Sequence, residues 1–275
     1  MFIGTDHVQI SYDDQGSGGP ALLCLTAWCG DRTVFAPLAT ELATARRTLT
    51  LDWRGHGRSP RDVGDFGSDE LLDDALQVIE RAGALPVVPV ALSHAGWIAL
   101  ELRRRLGPER VPGVVLLDWM VLGAPPGFTD ALSGLQQPAA WEHVRGALFD
   151  MWTTGVETPA VLDYVRSMGE YGFADWSRAG REIADSFALE GSPVAALEAL
   201  EAQGQPCPTL HAYAQPRDPD LLAAQEVYAA LHPWFRVHHL DARSHFPMLE
   251  VPQQMAVVID DFVGSLPAGM AAVAR

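Results

Sequence analysis

The chain reads as an α/β fold: a mostly parallel sheet covered by helices, with a helical cap inserted in it. Three observations point there. Apolar runs such as Ala21–Leu25 and Pro86–Leu92 are continuous rather than alternating, as in strands buried on both faces. Helix-spaced segments follow them in turn, so strand and helix alternate. That alternation lapses from 121 to 205, where aromatics and helical spacings replace buried strands. The expected organisation is therefore a core domain of residues 1–120 and 206–275 and a helical cap of 121–205.

Taken in order, Val8 to Asp13 reads as a first strand, closed by the turn-rich stretch Gln15 to Pro20. Ala21 to Leu25 is a buried strand that opens into Thr26-Ala27-Trp28-Cys29-Gly30-Asp31. Phe35, Leu38 and Leu42 have helical spacing. Thr48 to Leu51 is a strand ending in the loop Asp52 to Pro60. Asp69 to Ala82 is an amphipathic helix with Leu72, Leu76 and Ile79 on one side. Pro86 to Leu92 leads to Ser93, and Ile98, Leu102 and Leu106 mark the helix after it. Val111 to Leu117 is a strand with Asp118 at its end. Pro125-Pro126-Gly127 and Gly204-Gln205-Pro206 punctuate the edges of the cap. Beyond it, Thr209 to Ala214 and Phe235 to Leu240 read as strands, and Leu221 to Leu231 and Pro252 to Val263 as helices. The tail after Leu266 is small and apolar and reads as frayed.

Composition narrows the function classes. The chain has 275 residues, 48% of them hydrophobic and 20% charged, which suits a globular protein with a sizeable core. Its net charge of −16 repels phosphate backbones and argues against nucleic acid as a partner. The three cysteines, Cys24, Cys29 and Cys207, have neither disulfide-framework nor zinc-finger spacing. The first six residues lack the basic and apolar regions of a signal peptide. The apolar run from Val111 to Leu122 is interrupted by Asp118 and is too short to span a bilayer. A soluble cytoplasmic protein, with no membrane partner, is the expectation.

The chemistry gathers at strand ends, where ligands bind in such sheets. Ser93 stands between a strand and a helix with small residues, Ala91 and Ala95, two positions to either side. That is the layout of a nucleophile elbow; the plain alternative is a serine capping a helix. The order serine, carboxylate, late histidine is that of an α/β-hydrolase triad, and His245 lies in the loop after the final strand. The other histidines apart from His94 (His7, His56, His143, His211, His232, His238 and His239) read as structural or exposed. Two residues compete for the acid. Asp118 follows its strand directly, whereas Asp218 lies among turn residues and could merely shape the turn. Spacing favours Asp118 only slightly. An oxyanion hole needs two convergent main-chain N–H groups, and position offers those of His94 and Trp28.

Several segments resemble one family within the α/β-hydrolase fold, the cofactor-independent 3-hydroxy-4(1H)-quinolone 2,4-dioxygenases. They include Trp28-Cys29, Ser93-His94-Ala95-Gly96-Trp97, Leu117-Asp118-Trp119, Leu148-Phe149-Asp150-Met151-Trp152, His232-Pro233-Trp234-Phe235 and His245-Phe246-Pro247, spread over nearly the whole chain. The Arg54-Gly55-His56-Gly57 stretch is shared by hydrolases generally. The resemblance implies that Asp118, not Asp218, pairs with His245. It implies that His245 takes the substrate's 3-hydroxyl proton and that Ser93 hydrogen-bonds substrate instead of forming an acyl-enzyme. The Trp28 and His94 N–H groups would hold the 4-oxo oxygen. The activated ring would reduce O2 directly, without metal or flavin, releasing carbon monoxide and an N-acylanthranilate. Trp152, Met120, Leu148, Met168, Trp176 and Ile183 are implied as pocket residues.

Two positions depart from the family pattern. Relatives acting on small quinolones carry histidine where this chain has Leu92 and Gly30. A roomier, more apolar pocket follows as an expectation, suited to a 2-alkyl chain such as heptyl, as in the quorum-sensing signal 2-heptyl-3-hydroxy-4(1H)-quinolone. Each buried methylene contributes about 0.8 kcal/mol. Two other readings use the same residues: an esterase or lactonase with a Ser93-His245-Asp118 triad, and a non-catalytic binder of aromatic ligands.

Overall fold

The structure, a computed structural model, describes residues 8–267. Its centre is a seven-stranded sheet: β1 (Tyr12–Gln15), β2 (Ala21–Leu25), β3 (Thr48–Leu51), β4 (Val87–Leu92), β5 (Val114–Leu117), β6 (Thr209–Tyr213) and β7 (Phe235–His239). The spatial order is β1-β3-β2-β4-β5-β6-β7. Only β1 is antiparallel, pairing Tyr12 with Leu51 through to Gln15 with Thr48; the other strands run parallel. This is the expected fold class, and the inner strands β2 to β6 are buried throughout.

The first strand is displaced from the expected Val8–Asp13. Strand β3 offers only four residues to pair with, so Val8 to Ser11 overhang its end and the strand forms over Tyr12–Gln15 instead. Likewise β5 starts at Val114. Arg110 to Gly113 are taken up by the turn after the preceding helix, where Val111 N–H bonds the Gly107 carbonyl and Pro112 has no N–H to give. The fraying expected after Leu266 and the absence of a signal peptide expected from the first six residues concern residues mostly or wholly outside those described.

Helices α1 (Ala36–Leu42), α2 (Ser68–Ala82), α3 (Ala95–Leu106) and α9 (Pro219–Leu231) connect strands, and α10 (Pro247–Glu250) and α11 (Pro252–Gly264) follow β7. Between β5 and β6 come five helices in succession: α4 (Phe128–Leu135), α5 (Trp141–Thr153), α6 (Pro159–Met168), α7 (Phe173–Glu190) and α8 (Pro193–Ala202). The period-two alternation of the strands sorts the core into two layers. Leu23, Leu25, Ala91 and Leu116 pack towards α2, α3 and α8. Leu22, Cys24, Leu92 and Leu117 pack towards α1, α11 and the buried side chains of α6 and α7, such as Met168, Trp176 and Ile183. Among the described residues, no helix is long and apolar enough to cross a membrane.

Candidate active site

Among the described residues, three other than glycine have left-handed backbone: Cys29 (φ 56°), Ser93 (φ 52°) and Asp118 (φ 46°). Each lies just beyond the C-terminal end of a strand: β2, β4 and β5. Such a conformation costs about 1–2 kcal/mol per residue and is kept only where the surroundings hold it. All three are held by side chains or by neighbouring strands.

At β4, the Ser93 N–H bonds the Leu117 carbonyl at 2.8 Å, and the chain turns at once into α3. The turn is so tight that a Cβ on Gly96 would run into the Trp119 ring. Ser93 is buried, and its hydroxyl has no hydrogen-bond partner among the described residues. The main-chain N–H groups of Trp28 and His94 likewise find no protein acceptor among them. By contrast the Cys29 N–H donates to His56 Nε2 at 3.1 Å, and His56 Nδ1 lies 2.9 Å from the Arg54 carbonyl. A carbonyl only accepts, so the His56 proton is on Nδ1 and Nε2 is the acceptor. Burial pushes His56 down to about 4, which keeps it neutral in that role. The left-handed Cys29 turn thus commits one N–H to His56 and leaves the Trp28 N–H free.

At β5, the Asp118 carboxylate is fully engaged. Its Oδ2 accepts from the Ala214 and Gln215 N–H groups at 2.7 and 3.1 Å, and its Oδ1 lies 2.9 Å from His245 Nδ1. Asp118 is 3% exposed, so this is a carboxylate withdrawn from water with hydrogen bonds on both oxygens. Asp218, the alternative acid in sequence, instead caps α9 by accepting from the Asp220 and Leu221 N–H groups. His245 sits in the loop between β7 and α10. Glu250 stitches that loop by accepting from the Ser244 N–H at 2.7 Å and from the Ser244 hydroxyl. With Nδ1 turned to Asp118, the Nε2 edge of His245 is left without a protein partner among the described residues.

The inserted helices meet the dyad through α5. Trp152 stacks on the His245 ring with centroids 5.1 Å apart and planes 14° from parallel, and its carbonyl accepts the His245 N–H at 3.3 Å. Helix α5 buries none of its residues completely; Leu148, Phe149 and Trp152 are half-buried. His94 receives the Trp119 indole N–H on Nδ1 at 3.2 Å and packs against the Phe128 and Phe187 rings, which also touch each other. Burial first, and the neighbouring charge of His245 second, push it down to about 3. Behind Trp28 and His94 is a cavity of about 10 Å³ bordered by Trp97, Glu182 and Ile183, room for a single water.

The remaining expected pocket residues divide. Met120 is half-buried, whereas Leu92, Met168, Trp176 and Ile183 are buried together in the layer beneath α6 and α7. The Trp176 indole N–H has no partner there. Gly30 corrects the expectation of extra room. A Cβ at that position would collide with the Tyr164 hydroxyl, which fills the space and accepts the Asp31 N–H at 3.2 Å. The missing side chain makes way for a tyrosine of α6, not for a ligand.

Sequence reasoning missed Gln215. Its main chain holds Asp118, and its side-chain amide donates to the Arg243 carbonyl at 2.7 Å and to the Met151 carbonyl at 3.3 Å. One residue thereby ties the acid, the histidine loop and α5 together. A glutamine after a strand carries no local signal of this; only its place next to the Asp118 turn could have drawn attention.

A family model described as the alpha/beta hydrolase family matches residues 18–258. The chain is 40% identical over 258 residues to a 2-heptyl-3-hydroxy-4(1H)-quinolone dioxygenase of Mycobacteroides abscessus, covering 93% of this chain and 95% of that one. It is 34% identical to the 1H-3-hydroxy-4-oxoquinoline 2,4-dioxygenase of Pseudomonas putida, with 92% and 96% covered. Among solved structures it matches AqdC in complex with its product, a structure of recognition and ring cleavage of the Pseudomonas quinolone signal. There the TM-score is 0.88 at 39% identity, over 95% of this chain and 98% of that one.

Proposed function

We propose that this chain, which belongs to the α/β-hydrolase family and within it to the 3-hydroxy-4-quinolone dioxygenases, cleaves 2-alkyl-3-hydroxy-4(1H)-quinolones with O2. The 2-heptyl compound is the favoured substrate. The full-length similarity to an enzyme of that named activity carries the proposal. All three cysteines are buried and unpaired, which suits a reducing cytoplasm as the place of action.

The geometry of the strand ends supports the following roles. Nδ1 of His245 is engaged by Asp118, so its Nε2 is the lone pair available to take the 3-hydroxyl proton. Asp118 orients the ring and offsets the charge it gains. The unpartnered Trp28 and His94 N–H groups face no competing acceptor and hold the 4-oxo oxygen as negative charge spreads onto it. Ser93 donates a hydrogen bond to the substrate. The inserted helices serve as a cap, with Trp152 backing the base and Met120 and Leu148 bordering the bound ring.

The deprotonated ring supplies the electrons that reduce O2. Oxygen bonds at C2 and then closes onto C4. Breaking the O–O bond and the two bonds to C3 expels that carbon with its oxygen as carbon monoxide. Both atoms of O2 remain in the N-acylanthranilate, one in the new acyl carbonyl and one in the new carboxylate.

The elbow at Ser93 favours a second reading, an esterase or lactonase acting through Ser93, His245 and Asp118. Against it stands the free Ser93 hydroxyl, which makes no hydrogen bond to His245. Turnover of 2-heptyl-3-hydroxy-4(1H)-quinolone in air, followed by quinolone absorbance and O2 uptake, tests the proposal; an enzyme inert towards it but active on esters supports the alternative.

A further inference from the structure

The Asp118–Trp119 turn serves both halves of the site. Asp118 meets His245, while the next side chain, Trp119, gives its indole N–H to His94. His94 is the residue whose main-chain N–H stands beside Ser93. A small shift of this left-handed turn would therefore move the dyad and the elbow together.

Beneath the turn, the Trp119 main-chain N–H donates to His211 Nε2 at 3.3 Å. His211 is a fully buried residue of β6, stacked on Tyr213 with ring centroids 4.7 Å apart. Its other nitrogen, Nδ1, lies 2.5 Å from Gln225 Oε1. A main-chain N–H only donates, so Nε2 must accept; the proton of the neutral ring is then on Nδ1 and goes to the glutamine oxygen. Burial keeps that ring neutral. Gln225 is the one buried residue of α9, a helix otherwise half-buried or exposed. A surface helix that gives its single core position to an amide, where leucine would pack without a polar cost, does so for a hydrogen bond.

We propose that His211 and Gln225 are positioning residues for the reaction. Gln225 selects the His211 tautomer, and the His211 Nε2 lone pair holds the Trp119 main chain so that the turn presents Asp118 and Trp119 in register. The inference rests on the reading of His245 and Asp118 as the working pair.

The test compares His211→Gln, His211→Phe and Gln225→Met. Glutamine places an acceptor near the position of Nε2; phenylalanine keeps the ring that stacks on Tyr213 but has none. Three readouts are taken: thermal midpoint, kcat and KM for 2-heptyl-3-hydroxy-4(1H)-quinolone, and the downfield imidazole N–H proton resonances. For His211→Phe, kcat falls by about tenfold or more with KM changed less than about twofold, because misplacement is felt in the transition state. The His245 Nδ1–H resonance shifts or broadens. His211→Gln recovers kcat to within about threefold of wild type. Gln225→Met, which fills the same buried position of α9 with an apolar side chain of similar length and serves if His211→Phe does not fold, loses the His211 Nδ1–H resonance and about threefold or more in kcat. Lower melting with kcat and the His245 resonance unchanged would overturn the proposal, as would a glutamine no better than phenylalanine. If wild type fails to turn over the quinolone, the functional reading fails, while the two resonances still decide whether His211 positions the dyad.

Discussion

The Trp152 indole lies flat against the His245 imidazole, 5.1 Å between centroids and 14° from parallel. One residue comes from the inserted helices and the other from the last loop of the sheet domain, and each restricts the other. With Asp118 on Nδ1 and an indole over one face, the imidazole has a single working edge. The π-face would also favour the positive charge that His245 gains in its proposed role as base.

Trp152→Ala is therefore expected to lower kcat by about twofold to thirtyfold, the range of about 0.5–2 kcal/mol for a cation over an aromatic face. Trp152→Phe should keep most of the activity. Steady-state kinetics with the heptyl quinolone checks this; equal losses in the two variants would deny the stacking a role.

Removing the base is a larger loss. His245→Ala should reduce kcat by about 10²- to 10⁴-fold, while quinolone binding, followed by tryptophan fluorescence, persists. A pure binder of aromatic ligands would show no turnover in wild type and no change in the variant.

Ser93→Ala separates the two chemistries that share these residues. If Ser93 only donates a hydrogen bond, its loss costs about 0.5–1.5 kcal/mol, roughly twofold to twelvefold in rate. A nucleophilic serine would leave essentially no turnover. Measured on quinolone and on short-chain esters in parallel, the variant shows which chemistry the elbow serves.

The buried neutral histidines give stability a pH dependence. His56 and His211 are both pushed by burial from an ordinary 6.5 down to about 4. Between those values the unfolded chain binds a proton that the folded chain refuses, so stability rises with pH across this window. Their contribution is complete above pH 6.5 and is lost as pH falls towards 4, with a slope of up to about 1.4 kcal/mol per pH unit for each histidine. Urea unfolding between pH 7 and 4 measures it. His56→Gln, which keeps an acceptor near Nε2, should flatten the slope.

What could be read from sequence was what each stretch settles by itself. Continuous apolar runs marked the buried strands, and a parallel sheet puts its strand ends on one side, so Ser93, Asp118 and Trp28 could be expected to converge. Contacts between distant stretches were not legible. Nothing near Gly30 announces that Tyr164, a residue of α6, fills its space. Nothing near Gln215 announces that it reaches the Asp118 carboxylate at the end of β5, the Met151 carbonyl of α5 and the Arg243 carbonyl of the histidine loop. His56 and His211 read as ordinary structural histidines because their value lies in which lone pair meets which main-chain N–H, a matter of fold rather than of spacing. The edge strand β1 shifted for a similar reason, since its extent is set by the four residues of β3 that it pairs with.

The most direct test is the gas released. Metal-free protein, 2-heptyl-3-hydroxy-4(1H)-quinolone and O2 should give carbon monoxide and N-octanoylanthranilate in equal amounts, one of each per O2 consumed; with ¹⁸O2 one label enters the acyl carbonyl, one enters the carboxylate, and none enters the carbon monoxide. Loss of the quinolone without carbon monoxide, or no reaction with it at all, would contradict ring cleavage by this dyad.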